Sequence, residues 1–81
     1  MTDTVTWILA QRMQADDEMA LWKEVIRDLE GWSPERDTAQ AMQAMALFYA
    51  QGKLAEVRRE REALRIVLVS LEAISKADEH G

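Results

Sequence analysis

The side chains that could do chemistry are few in this sequence. Its one histidine, His80, precedes the last residue, and a base at a chain end cannot keep the geometry that general acid–base catalysis needs. Three consecutive acids, Asp16, Asp17 and Glu18, would splay around a helix instead of converging on a metal ion. The glycines form no phosphate-binding loop. We therefore expect a protein that is not an enzyme and that uses neither a metal ion nor another cofactor.

Arginines cluster in the last third of the chain, where Arg58, Arg61 and Arg65 share one side of a predicted helix. Glutamates alternate with them, which is typical of salt bridges within one helix. The alternative is an arginine-rich contact with an acidic partner, the first helix included. The chain has 15 acidic and 10 basic residues and a net charge of −5, so we expect no binding to nucleic acid.

Length and composition predict one domain over residues 1–81, since hydrophobic residues make up 48% of the chain. No apolar run approaches the roughly 18 residues that a membrane span requires. The first residues include Asp3 and no Lys or Arg, which is unlike a signal peptide. Cysteine is absent from the sequence, as suits a reducing compartment. We expect a cytoplasmic protein without membrane contact.

Capping residues and glycines divide the chain. Asp3 can cap a first helix that ends at Gly31, Ser33 and Pro34 can start a second, and Gly52 can stop it. These signals predict an all-α fold with three helices, at about residues 4–30, 34–51 and 53–76, and a short frayed tail at residues 77–81.

Each predicted helix carries an apolar stripe. The first reads as heptads, with a break near Asp16 as the alternative to one continuous helix. In the second the predicted inward stripe includes Ala41, Met42, Met45, Phe48 and Tyr49, and in the third it includes Leu54, Val57, Leu64, Val67, Leu68, Leu71 and Ile74. The a positions of the first helix are Val5, Arg12, Met19 and Ile26. Its d positions are Ile8, Ala15, Trp22 and Leu29.

Apolar residues outside these stripes exceed what one small bundle could cover, because the second helix is much shorter than its neighbours. We expect homodimerisation to complete the bundle. Trp22 falls on the main seam, Trp32 suits the corner between helices 1 and 2, and Trp7 fits core and interface equally. The predicted dimer interface is Leu64, Ile66, Leu68 and Val69, and the predicted partner-binding residues are Trp7, Glu18, Leu21 and Val25.

The function predicted from these uncovered apolar residues is protein–protein interaction. The leading hypothesis is a homodimeric, acidic, all-helical protein that binds a larger protein and modulates or inhibits it, as small phage- or plasmid-encoded modulators of host proteins do. The first alternative is a structural subunit that assembles only with itself. The second is a helical bundle with a small-ligand pocket formed by Met42, Met45, Phe48 and Tyr49.

Overall fold

The computed structural model of the chain describes residues 2–80, and side chains are described for residues 3–78. Two helices, α1 (Thr2–Gly31) and α2 (Asp37–His80), form an antiparallel hairpin joined by residues 32–36. The expectation of an all-α fold is confirmed, but the prediction of a three-helix bundle is wrong. The single domain and the fraying of residues 77–81 stay predictions, although α2 extends four residues past the expected end at residue 76.

Gly52 does not end a helix, because α2 continues through it with an ordinary negative φ. A glycine inside a helix costs about 1 kcal/mol relative to alanine. The residues on both sides of it offset that cost by packing against α1: Ala50, Leu54 and Val57 are all buried and keep the spacing of three and four residues across the glycine. The helices predicted at 34–51 and 53–76 are therefore one.

The predicted cap at Ser33 and Pro34 is also wrong, since both residues lie in the connection between the helices. The first hydrogen bond of α2 runs from the Gln40 backbone N–H to the Arg36 carbonyl, at 3.0 Å. Gln43 closes the other side of the turn, because its side-chain amide donates to the carbonyls of Leu29, at 2.5 Å, and Trp32, at 2.6 Å. Gln43 thus satisfies the Trp32 carbonyl and gives a further donor to the Leu29 carbonyl, which also accepts from the Trp32 backbone N–H.

α1 is continuous through Asp16, so the alternative of a break there is wrong. Its predicted heptads are confirmed, since every a and d position is buried or partly buried against α2. Ile8 is 2% exposed and Ala15 5% exposed. Asp16 is held instead by Arg61 of α2, whose Nε lies 2.5 Å from its Oδ1. This ion pair shows that the part of α2 around residue 61 lies beside the middle of α1.

The inward stripe predicted for residues 41–49 lies on the outside. Met42, Met45, Phe48 and Tyr49 are all exposed, Phe48 by 81%. Ala50, Leu54 and Val57 determine which side of the continuous helix faces α1. The positions on that same side therefore face α1 in place of Met42, Met45, Phe48 and Tyr49. These inward positions, partly or fully buried, are Ala39, Gln43, Ala46, Leu47 and Ala50.

The hairpin is long and thin, with extents of 67 × 14 × 14 Å and a radius of gyration of 18.9 Å. A compact chain of this length would have a radius of about 12 Å. The 44 residues of α2 account for the whole length at 1.5 Å per residue, whereas the 30 residues of α1 cover about 45 Å. The accessible surface is 6412 Å², about 1,400 Å² more than a typical monomer of 9.3 kDa exposes.

Candidate functional site

An acidic groove runs along one side of the hairpin, where α1 and α2 meet. Three carboxylates, those of Glu18, Glu56 and Glu60, line it together with one cation, Lys53, so the groove carries a net negative charge. Leu21 forms an apolar wall and is 58% exposed. The complete lining is Glu18, Leu21, Trp22, Tyr49, Lys53, Glu56, Val57 and Glu60.

A row of contacts orders the side chains of this groove. Trp22 of α1 meets Tyr49 of α2 edge to face, with ring centroids 6.1 Å apart. Lys53 Nζ lies 5.5 Å from the centroid of the same tyrosine ring and 3.4 Å from Glu56 Oε2. The hydrogen bond to Glu56 and its charge, followed by the influence of Tyr49, raise the pKa of Lys53 above its ordinary value. The lysine is therefore a fixed cation within an otherwise acidic surface.

The groove continues toward the start of α1 with a polar floor, where Gln11 and Gln14 stand beside Glu18 and Glu60. Trp7 lies further along the same side of α1 and is 60% exposed. About 21 Å of helix separate it from Leu21, since the two are 14 residues apart. Of the apolar residues predicted to bind a partner, Trp7 and Leu21 are thus exposed and have polar side chains between them, whereas Val25 is partly buried.

The second candidate surface is the side of α2 that faces away from α1, called here the outer face of α2. Its first part is the exposed set Met42, Met45 and Phe48, with Tyr49 at the edge that this face shares with the acidic groove. A shallow groove leads from these residues past Gly52 to Glu56 and Arg59. Near the other end Ile66 and Val69, 54% and 52% exposed, make the face apolar again. On this face apolar residues therefore lie on both sides of the charged residues Glu56 and Arg59.

The predicted dimer residues divide between two sides of α2. Leu64 and Leu68 are partly buried and continue the inward spacing of Leu54 and Val57, so they pack toward α1. Ile66 and Val69 lie on the outer face, as expected from their position across from the main stripe. Of the partner-binding residues, Glu18 and Leu21 meet in the acidic groove, and Trp7 does not reach it.

Arg65 and Arg61 follow the two different hypotheses, a salt bridge within one helix and a contact with the first helix. Arg65 pairs with Glu62 within α2, at 2.6 Å, and this pair lowers the pKa of Glu62 and raises that of Arg65. Arg61 reaches across to Asp16 of α1. Within residues 3–78 no group of three His, Cys, Asp or Glu side chains is arranged to hold a metal ion. The His80 side chain lies outside the described residues.

Lys53, Glu56 and Glu60 were not predicted to share a site with Glu18 and Leu21. The predicted break at Gly52 placed them at the start of a separate helix. The spacing of Ala50, Leu54 and Val57, which continues unbroken across Gly52, was the signal that could have joined them to the second helix.

Comparison with known protein families, with curated proteins and with solved structures found no match to this chain. Among residues 2–80, neither helix has a stretch that is apolar enough over sufficient length to cross a lipid bilayer.

Proposed function

We propose that this chain is a protein–protein interaction module that associates as a homodimer and binds a second protein, whose activity it modulates. The observation that supports this proposal is the surplus of exposed surface. The hairpin exposes about 1,400 Å² more than a typical monomer of its mass, whereas a standard interface buries about 800 Å² per partner. The surplus exceeds one standard contact and falls short of two, so one chain can supply a dimer contact and a smaller second contact.

The acidic groove is the proposed site for the second protein. Its apolar wall at Leu21 and its aromatic pair Trp22 and Tyr49 suit a helical segment with apolar side chains. The carboxylates of Glu18 and Glu60 suit Lys or Arg beside those side chains, since opposite charges guide association and set specificity. The partner segment is therefore amphipathic and basic. Trp7 is proposed as a peripheral contact and Val25 as support for Leu21.

Co-purification from the native host with matched variants tests this site. Leu21→Lys places a cation in the groove, and Met13→Lys makes the same change at a side chain that is 69% exposed and outside the groove lining. We expect Leu21→Lys to lose the co-purified protein and Met13→Lys to retain it. Retention by both variants, or equal loss from both, would contradict the groove assignment. Unchanged binding by Trp7→Ala would remove Trp7 from the site.

The structural alternative makes a different prediction about mass. A subunit whose only partner is itself would grow beyond a dimer as its concentration rises, and sedimentation would detect this growth. The ligand-pocket alternative is not favoured by the exposure of Met42, Met45 and Phe48, because these side chains are not enclosed between the helices and, among the described side chains of this set, only Tyr49 contacts α1. The cytoplasmic location stays a prediction.

A further inference from the structure

We infer that the outer face of α2 binds the same face of a second copy, with the two α2 helices antiparallel and the two-fold axis crossing the outer face at the level of residues 57 and 58. This inference deepens the proposed function, on which it rests, because it names the surface and the orientation of the homodimer. Tyr49 and Glu56 border both this face and the acidic groove, so the part of the groove that stays open for another protein is its α1 wall, Glu18, Leu21 and Trp22.

The order of residues along the outer face is self-complementary. From its start the face presents large apolar side chains at Met45 and Phe48, and near its end it presents Ile66 and Val69. Reversing one copy about the axis brings Met45 opposite Val69, and Phe48 and Tyr49 opposite Ile66. Each exposed apolar group of one copy then covers an apolar group of the other.

Small residues occupy the positions between the apolar and the charged parts. Gly52 meets Ala63 of the second copy in this arrangement. A Cβ built on Gly52 has no atom within 4 Å, so the hairpin itself gives this glycine no packing role. A close approach of two helices is a role that a glycine in mid-helix can have.

The charges select the antiparallel orientation. Glu56 lies opposite Arg59 of the second copy, and Arg59 lies opposite its Glu56, so both charged pairs that flank the axis are attractive. A parallel arrangement would place Arg59 against Arg59 and Glu56 against Glu56. It would keep the apolar contacts but bring like charges together at the centre of the interface.

The acidic groove is a poorer surface for a second copy. It holds three carboxylates and one lysine, so facing grooves would bring net negative charges together. The groove on the outer face of α2 holds Glu56 together with Lys53 and Arg59, so it carries no net negative charge. The face spans about 47 Å from residue 42 to residue 73. Among the side chains of residues 3–78, α1 packs on the opposite side of α2 and borders this face only where Trp22 meets Tyr49.

Charge reversal followed by sedimentation equilibrium tests the proposed pairs. Glu56→Arg and Arg59→Glu should each weaken the dimer about tenfold, because each brings like charges together twice. The double variant restores opposite charges and should return the dissociation constant to within about threefold of the original. The matched control is Glu24→Arg and Arg27→Glu, the same pair at the same spacing on α1, which should leave the dimer unchanged.

Orientation is tested by oxidative cross-linking, since the sequence contains no cysteine. Gly52→Cys and Ala63→Cys proteins, once mixed, should form disulfides with each other and not with themselves. Two Gly52 positions would lie about 16 Å apart along an antiparallel dimer, beyond the Cα separation of about 7 Å that a disulfide tolerates. Self-linked Gly52→Cys dimers would show a parallel arrangement and overturn the inference.

The possible failures are distinguishable. If the dissociation constant of the dimer is unchanged in Glu56→Arg, Arg59→Glu and Phe48→Glu, the outer-face interface is wrong. The homodimer of the proposed function would still stand. A protein that stays monomeric at high concentration would overturn both. Loss of dimer in Phe48→Glu and Val69→Glu, with the helical content of the hairpin retained, would support the inference, because neither side chain contributes to the buried core.

Discussion

Arg61 of α2 and Asp16 of α1 are 45 residues apart in sequence, yet Arg61 Nε lies 2.5 Å from Asp16 Oδ1. The pair joins the middle of α1 to the middle of α2. Both side chains remain 40% or more exposed. Their contact therefore marks the register of the hairpin and adds little to its stability, since exposed ion pairs contribute little free energy.

The coupling between Asp16 and Arg61 should be small. A double-mutant cycle with Asp16→Ala and Arg61→Ala should give about 0.5 kcal/mol of coupling free energy, measured by urea unfolding. At about 1 M salt, where the Debye length is about 3 Å, most of it should vanish. A cycle that replaces Asp16→Ala by Asp17→Ala provides the control and should give no coupling. An equal coupling in both cycles would refute the register.

Gly52→Ala should stabilise the hairpin. Alanine is preferred over glycine inside a helix by about 1 kcal/mol, and the added methyl group meets no atom within 4 Å. We expect the free energy of unfolding to rise by about 0.5–1 kcal/mol, followed by circular dichroism in urea at low protein concentration. Gly31→Ala, at the end of α1, is the control and should gain less. Destabilisation by Gly52→Ala would indicate that the helix breaks at this residue.

Acidification should remove the contribution of Glu62 to the stability of α2. Its pKa is lowered by Arg65, chiefly through their hydrogen bond. A depressed carboxyl pKa in the folded state stabilises the fold above the ordinary value of 4.5, and this contribution is lost as the pH falls through the lowered pKa. Helical content measured from pH 7 to about pH 3 should therefore fall less in Glu62→Gln than in the original protein.

The control for this titration is Glu72→Gln, on the same helix. In the described part of the chain, the Glu72 carboxylate takes part in no ion pair or hydrogen bond. Its replacement should leave the acid dependence of the helical content close to that of the original protein. An equal effect of both substitutions would mean that the Arg65 contact does not set the acid response.

The heptads of α1 could be predicted from sequence because their a and d positions all pack against one side of α2. Even Arg12, out of character at an a position, is partly buried there. Periodicity of this kind depends only on which side of a helix meets a neighbour. It was sufficient to identify Trp22 as a residue between the helices and Ile66 and Val69 as residues on the far side of α2.

The division of α2 into two helices failed for a local reason. Ser33 with Pro34, and Gly52, are signals for helix ends that act over a few residues, whereas the hairpin contacts join residues far apart in sequence. Gln43 shows the difference: its hydrogen bonds to Leu29 and Trp32 close the turn and have no signature in the neighbouring sequence. The acidic groove could not be predicted for the same reason, because it forms only when Lys53 and Glu56 belong to the helix that packs on α1.

A rod 14 Å thick places every peptide group within one side-chain layer of water. Each helix has a single neighbour, so backbone amides near Ile8 and Val57 depend on that one contact for protection from hydrogen exchange. Amide exchange in the isolated hairpin should then be slowest at the buried positions between the helices and faster on the exposed sides and where α2 extends beyond α1. Docking of any further helix would slow it most on the newly covered side, which makes deuterium uptake a direct map of whatever this rod binds.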